Sequence, residues 1–494
     1  MEYYSTNNKA IRVSLKQAVI DGLATDGGLY MPVTIPSLSS DFFQQLSVKP
    51  FQEIAFDVAK SLLGEDLSDE VLRKIIAHTI QFDAPIVELD KNIYSLELFH
   101  GPTLAFKDFG ARFLSGLLGY FVEQQSKEIT ILVATSGDTG SAVANGFLDV
   151  PGTRVIVLYP SGKVSEIQEK QFTTLGANIT ALEVDGTFDD CQRLVKQAFL
   201  DGELKKNLQL ASANSINIAR LIPQTFYYFH AIAQLRNRGE GVVFSVPSGN
   251  FGNLTAGLIA KRMGLPISRF IAATNVNDIV PLYLRTGKFS PRPSLQTISN
   301  AMDVGNPSNF VRIQEMYQHD LKQFEKDFSS YTFSDAATLE AAHEVPHVTL
   351  VAGDRARRRR GTDAGGADVG LRAYHRAASA AGSRLARSDR GREIPQRQGH
   401  RQPRQRCGED DPSSPRVHRL RQALHHLRTR RAGFSPHGRE ARRVAGAVQP
   451  RERPAGRQVR LRQAADLRRI QGTHRRPGGR RTAQGVRPRG GEPR

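Results

Sequence analysis

Short apolar, β-branched runs recur along the middle of the chain, and amphipathic stretches separate them. The run at 129–134 reads as a buried strand, and similar runs mark strands at 154–159, 179–184, 208–211, 242–246 and 270–273. The stretches between them read as helices at 165–173, 192–200, 216–235 and 254–263, and residues 141–144 open another. Thr187 with an acid three residues on, Asp190, predicts a capped helix start. This strand-loop-helix rhythm predicts an α/β fold in which a parallel sheet is covered by helices on both faces. Residues 1–90 read as mostly helical, with Gly27 and Gly28 marking a turn, and are expected to form a smaller N-terminal lobe. Residues 91–344 are expected to form the α/β region, and 345–494 stand apart.

Charge makes that last division sharp. The net charge of the 494 residues is +19, but residues 351–494 carry 38 Arg, no Lys and 12 acids, a net of +26. The first 350 residues hold 30 bases against 37 acids, a net of −7. The tail also has no Asn or Met, one Phe (Phe434) and two Ile (Ile394 and Ile470). Residues coded by A/T-rich codons vanish and those coded by G/C-rich codons remain, as a shifted reading frame or a fusion would give. So little apolar content does not offset ordering entropy, so an Arg-rich disordered tail is expected. Its arginine runs are expected to bind nucleic acid nonspecifically at most. Cys191 and Cys407 offer no disulfide framework or metal spacing, which suits a cytoplasmic protein. No apolar run approaches membrane-spanning length.

Three segments carry candidate chemistry. Lys107 lies between Phe106 and Phe109, and burial there would favour a neutral amine, the form a Schiff base with a carbonyl cofactor requires. A surface lysine that begins a helix is the other reading. Ser136-Gly137-Asp138-Thr139-Gly140-Ser141 follows a strand and enters a helix whose free amides attract anions. A capped strand-helix turn would look similar. Ser248-Gly249-Asn250-Phe251-Gly252-Asn253 also joins a strand to a helix, and its glycines permit amides to wrap a phosphate. A plain turn is again the alternative. It has neither the nucleotide P-loop lysine nor a dinucleotide glycine pattern.

Together, in this order and spacing, the three segments closely resemble the threonine synthases. Asp26-Gly27-Gly28-Leu29 and the segments 159–165, 214–220 and 303–310 agree, and the resemblance runs from Met1 to about Glu344. It implies the type II fold of pyridoxal-phosphate enzymes, with parallel sheets in two lobes. It implies that Lys107 binds pyridoxal 5′-phosphate as the Schiff-base lysine and then shuttles protons. Gly249, Asn250, Phe251, Gly252 and Asn253 would cradle the cofactor phosphate, with Asp138 near the ring's 3-oxygen. Ser136, Gly137 and Thr139 would face the substrate carboxylate. The implied substrate is O-phospho-L-homoserine and the products are L-threonine and phosphate. Lys163, Ser215, Asn217, Arg220 and Asn306 are the candidates for the leaving phosphate. The alternatives are another type II lyase of threonine dehydratase kind, or an inactive product whose basic tail binds nucleic acid. Beyond Glu344 the family's closing strand-helix region has no in-frame counterpart, so impaired activity is expected.

Overall fold

The computed structural model describes residues 1–124, 128–235 and 241–344. The expectations for the arginine-rich tail, including Cys407, lie outside the described residues.

The first residues form a small antiparallel sheet of β1 (Glu2–Ser5), β2 (Arg12–Ser14) and β3 (Tyr30–Pro32), with β1 in the centre. The helices Phe51–Leu63 and Asp69–Thr79 follow. The N-terminal region is therefore less purely helical than the sequence predicts. Three- and four-residue strands leave no room for a periodic signal, and their partners are distant in sequence. An antiparallel hairpin, β4 (Ile86–Asp90) with β5 (Ile93–Leu96), leads into the lysine segment.

Two parallel sheets carry the rest. In one, β6 (Ile129–Ala134), β7 (Thr153–Pro160), β8 (Ile179–Val184) and β9 (Gln209–Ser212) lie in the order β8-β7-β6-β9. All six residues of β6 are buried, as an apolar run covered on both faces demands. In the other, β11 (Arg269–Thr274) lies between β10 (Val243–Pro247) and β12 (Phe328–Thr332). Thr187 and Asp190 form the reciprocal cap expected of them. The helix expected over 216–235 is two helices, Ile218–Leu221 and Pro223–Gln234. Pro223 has no N–H to donate, so the ladder is interrupted there.

One hydrophobic core joins the first sheet to the last strand, with Tyr3, Ile54, Phe113, Phe226, Phe270 and Phe328 all in it. Residues 135–137 and 248–251 follow the carboxyl ends of β6 and β10, where open parallel sheets place ligands. No helix among the described residues is long and apolar enough to cross a membrane.

Candidate active site

Lys107 is the first residue of the helix Lys107–Glu123. The turn before it is fixed by Asp108, whose carboxylate accepts from the Thr103 amide (2.9 Å) and the Thr103 hydroxyl (2.6 Å). Burial pushes the Asp108 carboxyl upward, and those two hydrogen bonds oppose the shift. Phe109 is fully buried and anchors the helix to the core. The Lys107 side chain keeps 18% of its surface and places Nζ 3.4 Å from Asp138 Oδ2. The amine therefore meets a carboxylate on one side and the Phe106 ring, 5.8 Å from Nζ to its centre, on another.

Asp138 opens the helix Asp138–Gly146, three residues earlier than the sequence predicts. Its second oxygen accepts from Gln168 Nε2 at 2.5 Å, so Lys107 and Gln168 hold the carboxylate between them. Gly137 adopts φ 140°, and a Cβ there would lie 2.3 Å from Gln168 Oε1. Conformation therefore favours glycine here, and a Cβ would also have to push aside the amide of Gln168. Thr135 organises the same turn, accepting from the amides of Gly137 (2.9 Å) and Gly140 (2.8 Å). Gly137, at the N-cap position, has no side chain to cap the helix, so Thr135 satisfies the Gly140 amide instead.

A chain of hydrogen bonds links this loop to the second one. Asn214 bonds both backbone groups of Ala134, its Nδ2 donating at 2.8 Å and its Oδ1 accepting at 3.2 Å. The next residue, Ser215, accepts from Asn250 Nδ2 at 2.7 Å. Asn250 Oδ1 in turn accepts from the amide (2.6 Å) and hydroxyl (2.9 Å) of Ser308. Phe251 takes φ 60° and leads into the helix Gly252–Arg262, which also has no side-chain cap. A Cβ on Gly249 would sit 2.7 Å from Met302 Cα, so the loop presses directly on the 299–303 turn. Four segments that the sequence singles out separately are therefore joined in series.

The remaining candidates divide. Ser136 and Thr139 lie on the first loop, half-buried, and Lys163 and Asn306 are exposed. Asn253 turns inward, where its Oδ1 accepts from the hydroxyls of Tyr227 (2.6 Å) and Tyr228 (2.8 Å). Asn217 is fully buried; it donates to Val19 O and Ser212 O and caps Ala219 N. Arg220 is buried beneath Gly110, donates from Nη1 to Ala213 O, and has no hydrogen-bond partner for Nε among the described residues. Burial pushes its guanidinium down to about 10, and Asp108 opposes the shift. Sequence reasoning missed Thr135, Gln168, Asn309 and Arg312. Only Asn309 stood in a segment already singled out, and the others carry no local signal. A separate cleft of about 560 Å³ beside Lys49, Tyr94 and His230 shares no residue with this site.

Comparison with known proteins places the arrangement. Residues 2–80 match the family described as threonine synthase N terminus, and residues 79–351 match pyridoxal-phosphate dependent enzyme. The threonine synthase of Escherichia coli K12 is 45% identical over 70% of this chain and 80% of its own length. The chain belongs to the threonine synthase family. The enzyme of Haemophilus influenzae is 47% identical over 68% of this chain and 79% of its own. Among solved structures, Escherichia coli threonine synthase superposes with a TM-score of 0.67 at 43% identity, covering 73% of this chain and 85% of its own. Pyridoxal-phosphate-bound threonine synthase from Brucella melitensis gives 0.66 at 35% identity, covering 74% and 86%. As a member of this family the chain is a pyridoxal-phosphate-dependent lyase of type II fold.

The residues present fit that cofactor. A partly exposed lysine amine stands beside a helix start. The uncapped first turn of the 11-residue helix Gly252–Arg262 faces a loop whose Gly249 leaves no room for a side chain. Uncapped amides of that kind suit a phosphate dianion.

Proposed function

We propose that this threonine synthase family chain takes O-phospho-L-homoserine and water to L-threonine and phosphate. The observation that carries the reading is the Lys107–Asp138 pair, tied through Asn214, Ser215 and Asn250 into a single site. Pyridoxal phosphate, when bound, supplies a sink for the negative charge that develops at the substrate's Cα. Lys107 would hold it through Nζ, and Gly249, Asn250, Phe251 and Gly252 would hold its phosphate. Asn253 supports that loop from behind through the two tyrosines. Lys107 Nζ then carries protons to and from the substrate carbons, and Asp138 keeps the amine aimed. Ser136, Gly137 and Thr139, at a helix start that lacks an N-cap side chain at Gly137, receive the substrate carboxylate. Lys163 and Asn306 are exposed and available to the substrate phosphate, where a cationic donor suits a dianion. Residues 1–90 serve as the smaller lobe beside the catalytic region 91–344.

Two measurements on the purified full chain test the reading. Borohydride reduction with pyridoxal phosphate, followed by peptide mapping, is expected to label Lys107. Incubation with O-phospho-L-homoserine is expected to release phosphate and threonine in equal amounts. A label at another lysine would defeat the cofactor assignment. A label at Lys107 without threonine would favour the second reading, a chain that binds cofactor and does not turn over. The family match ends at residue 351, and about a fifth of the Escherichia coli relative lies outside the aligned span.

A further inference from the structure

Arg312 is fully buried in the helix Phe310–Met316 and makes no ion pair among the described residues. Its guanidinium meets neutral oxygens instead. Nε and Nη2 donate to Tyr30 O (3.2 and 3.1 Å), and Nη2 also donates to Ile216 O (2.6 Å). Nη1 donates to Ser215 O (3.2 Å) and to Asn309 Oδ1 (2.5 Å). Burial alone pushes this group down to about 9, which leaves it a cation at neutral pH. An unpaired cation in a protein interior costs several kcal/mol, and the five hydrogen bonds to neutral oxygens offset part of that cost while fixing the guanidinium in place.

The polarity of the neighbouring amides follows without ambiguity. A guanidinium only donates, so the Asn309 atom facing Arg312 is the oxygen, and Nδ2 donates to Ser215 Oγ at 3.0 Å. The Ser308 amide only donates, so it fixes the Asn250 oxygen in the same way, and Asn250 Nδ2 donates to the same Ser215 Oγ. Both lone pairs of that hydroxyl are then occupied. Its proton has to point away from both amides, and no acceptor among the described residues meets it. Ser215 abuts the start of the helix Gly252–Arg262, with its Cβ 3.7 Å from where a Cβ on Gly252 would lie.

We infer that Arg312 is a positioning residue: through Asn309 it sets Ser215 as an O–H donor to the cofactor phosphate. This rests on the loop assignment made under Proposed function. The test uses the full-length apoprotein titrated with pyridoxal phosphate and, separately, with pyridoxal, which lacks the phosphate. Three variants are compared: Arg312→Met, Asn309→Asp and Ser215→Ala. Asn309→Asp keeps the shape but presents Ser215 with an acceptor where a donor stood. Each variant is expected to weaken pyridoxal phosphate about 10- to 100-fold, the range for one hydrogen bond to a charged group. Pyridoxal affinity is expected to hold within about threefold, well below a single such bond. The ³¹P resonance of the bound cofactor is expected to shift. The inference is overturned if Asn309→Asp or Ser215→Ala, folded by circular dichroism, binds pyridoxal phosphate like the wild type. It is overturned equally if they lose both aldehydes to the same extent. These two variants decide the matter even if Arg312→Met does not fold. A wild-type chain that takes up neither aldehyde would remove the cofactor reading beneath it, a distinct result.

Discussion

Gly249→Ala is a single methyl with two separable effects. The added carbon would lie 2.7 Å from Met302 Cα and 3.2 Å from Met302 Cβ and O. Carbon atoms normally approach to about 3.5–4.0 Å, so the shortfall is about 1 Å. Met302 is not free to retreat. Its amide donates to Ser299 O, its carbonyl accepts from Val304 N, and Asp303 is gripped by Thr297 and Asn275. The loop 248–253 must yield instead. Overpacking of this kind costs about 1–3 kcal/mol, a fall in Tm of roughly 2–10 °C. A displaced loop also forfeits one or two phosphate hydrogen bonds, so the Kd for pyridoxal phosphate should rise about 10- to 100-fold. Differential scanning fluorimetry of the apoprotein reads the first effect and an absorbance titration the second. Gly252→Ala is the contrast. Its Cβ would meet Asn309 Nδ2 at 3.4 Å, an ordinary contact, and the apoprotein Tm should stay within about 1 °C. The steric argument fails if Gly249→Ala keeps both the Tm and the Kd of the wild type, or if Gly252→Ala melts as low.

Asn217→Ala removes three buried hydrogen bonds and strands Val19 O, Ser212 O and Ala219 N, so urea unfolding should show a loss of about 2–4 kcal/mol. A loss under about 1 kcal/mol would contradict the structural role given to it. Asp303→Asn should change how stability depends on pH. Burial raises the Asp303 carboxyl from 3.8 to about 6, against the pull of its hydrogen bonds to Thr297 and Asn275. The folded state then binds the proton more tightly than the unfolded one. The contribution is complete below the ordinary value and is lost as pH rises through about 6. The Tm of the variant minus that of the wild type should therefore climb between pH 4 and pH 7, and a flat difference would count against it.

Much of this could be read along the chain. The strands at 129–134 and 179–184 coincide with β6 and β8, because buried β-branched runs leave few alternatives. The lysine and both glycine loops were recognisable because their residue types are unusual at those places. What could not be read was how they connect. Asn214 and Asn250 look like ordinary loop residues, and their value lies in what they touch across 80 and 58 positions. Arg312 and Gln168 look like surface polar residues of two short helices, and only the packing reveals one buried and the other laid over Gly137. The flanking phenylalanines divide, since the Phe106 ring lies 5.8 Å from Lys107 Nζ. Phe109 goes into the core while Lys107, two residues earlier on the helix, points elsewhere.

Arg312 grips Tyr30 across 282 positions of chain. At about 5–20 residues per second, a ribosome needs roughly 15–55 s to travel that distance. Throughout that interval the β3 carbonyl has already emerged while its guanidinium partner has yet to be made. A nascent chain stopped short of residue 312 would hold every glycine of the loop and still lack the clasp that orders it. Any hold on a ligand that depends on this clasp therefore waits until the helix Phe310–Met316 has been made and has closed on the first sheet.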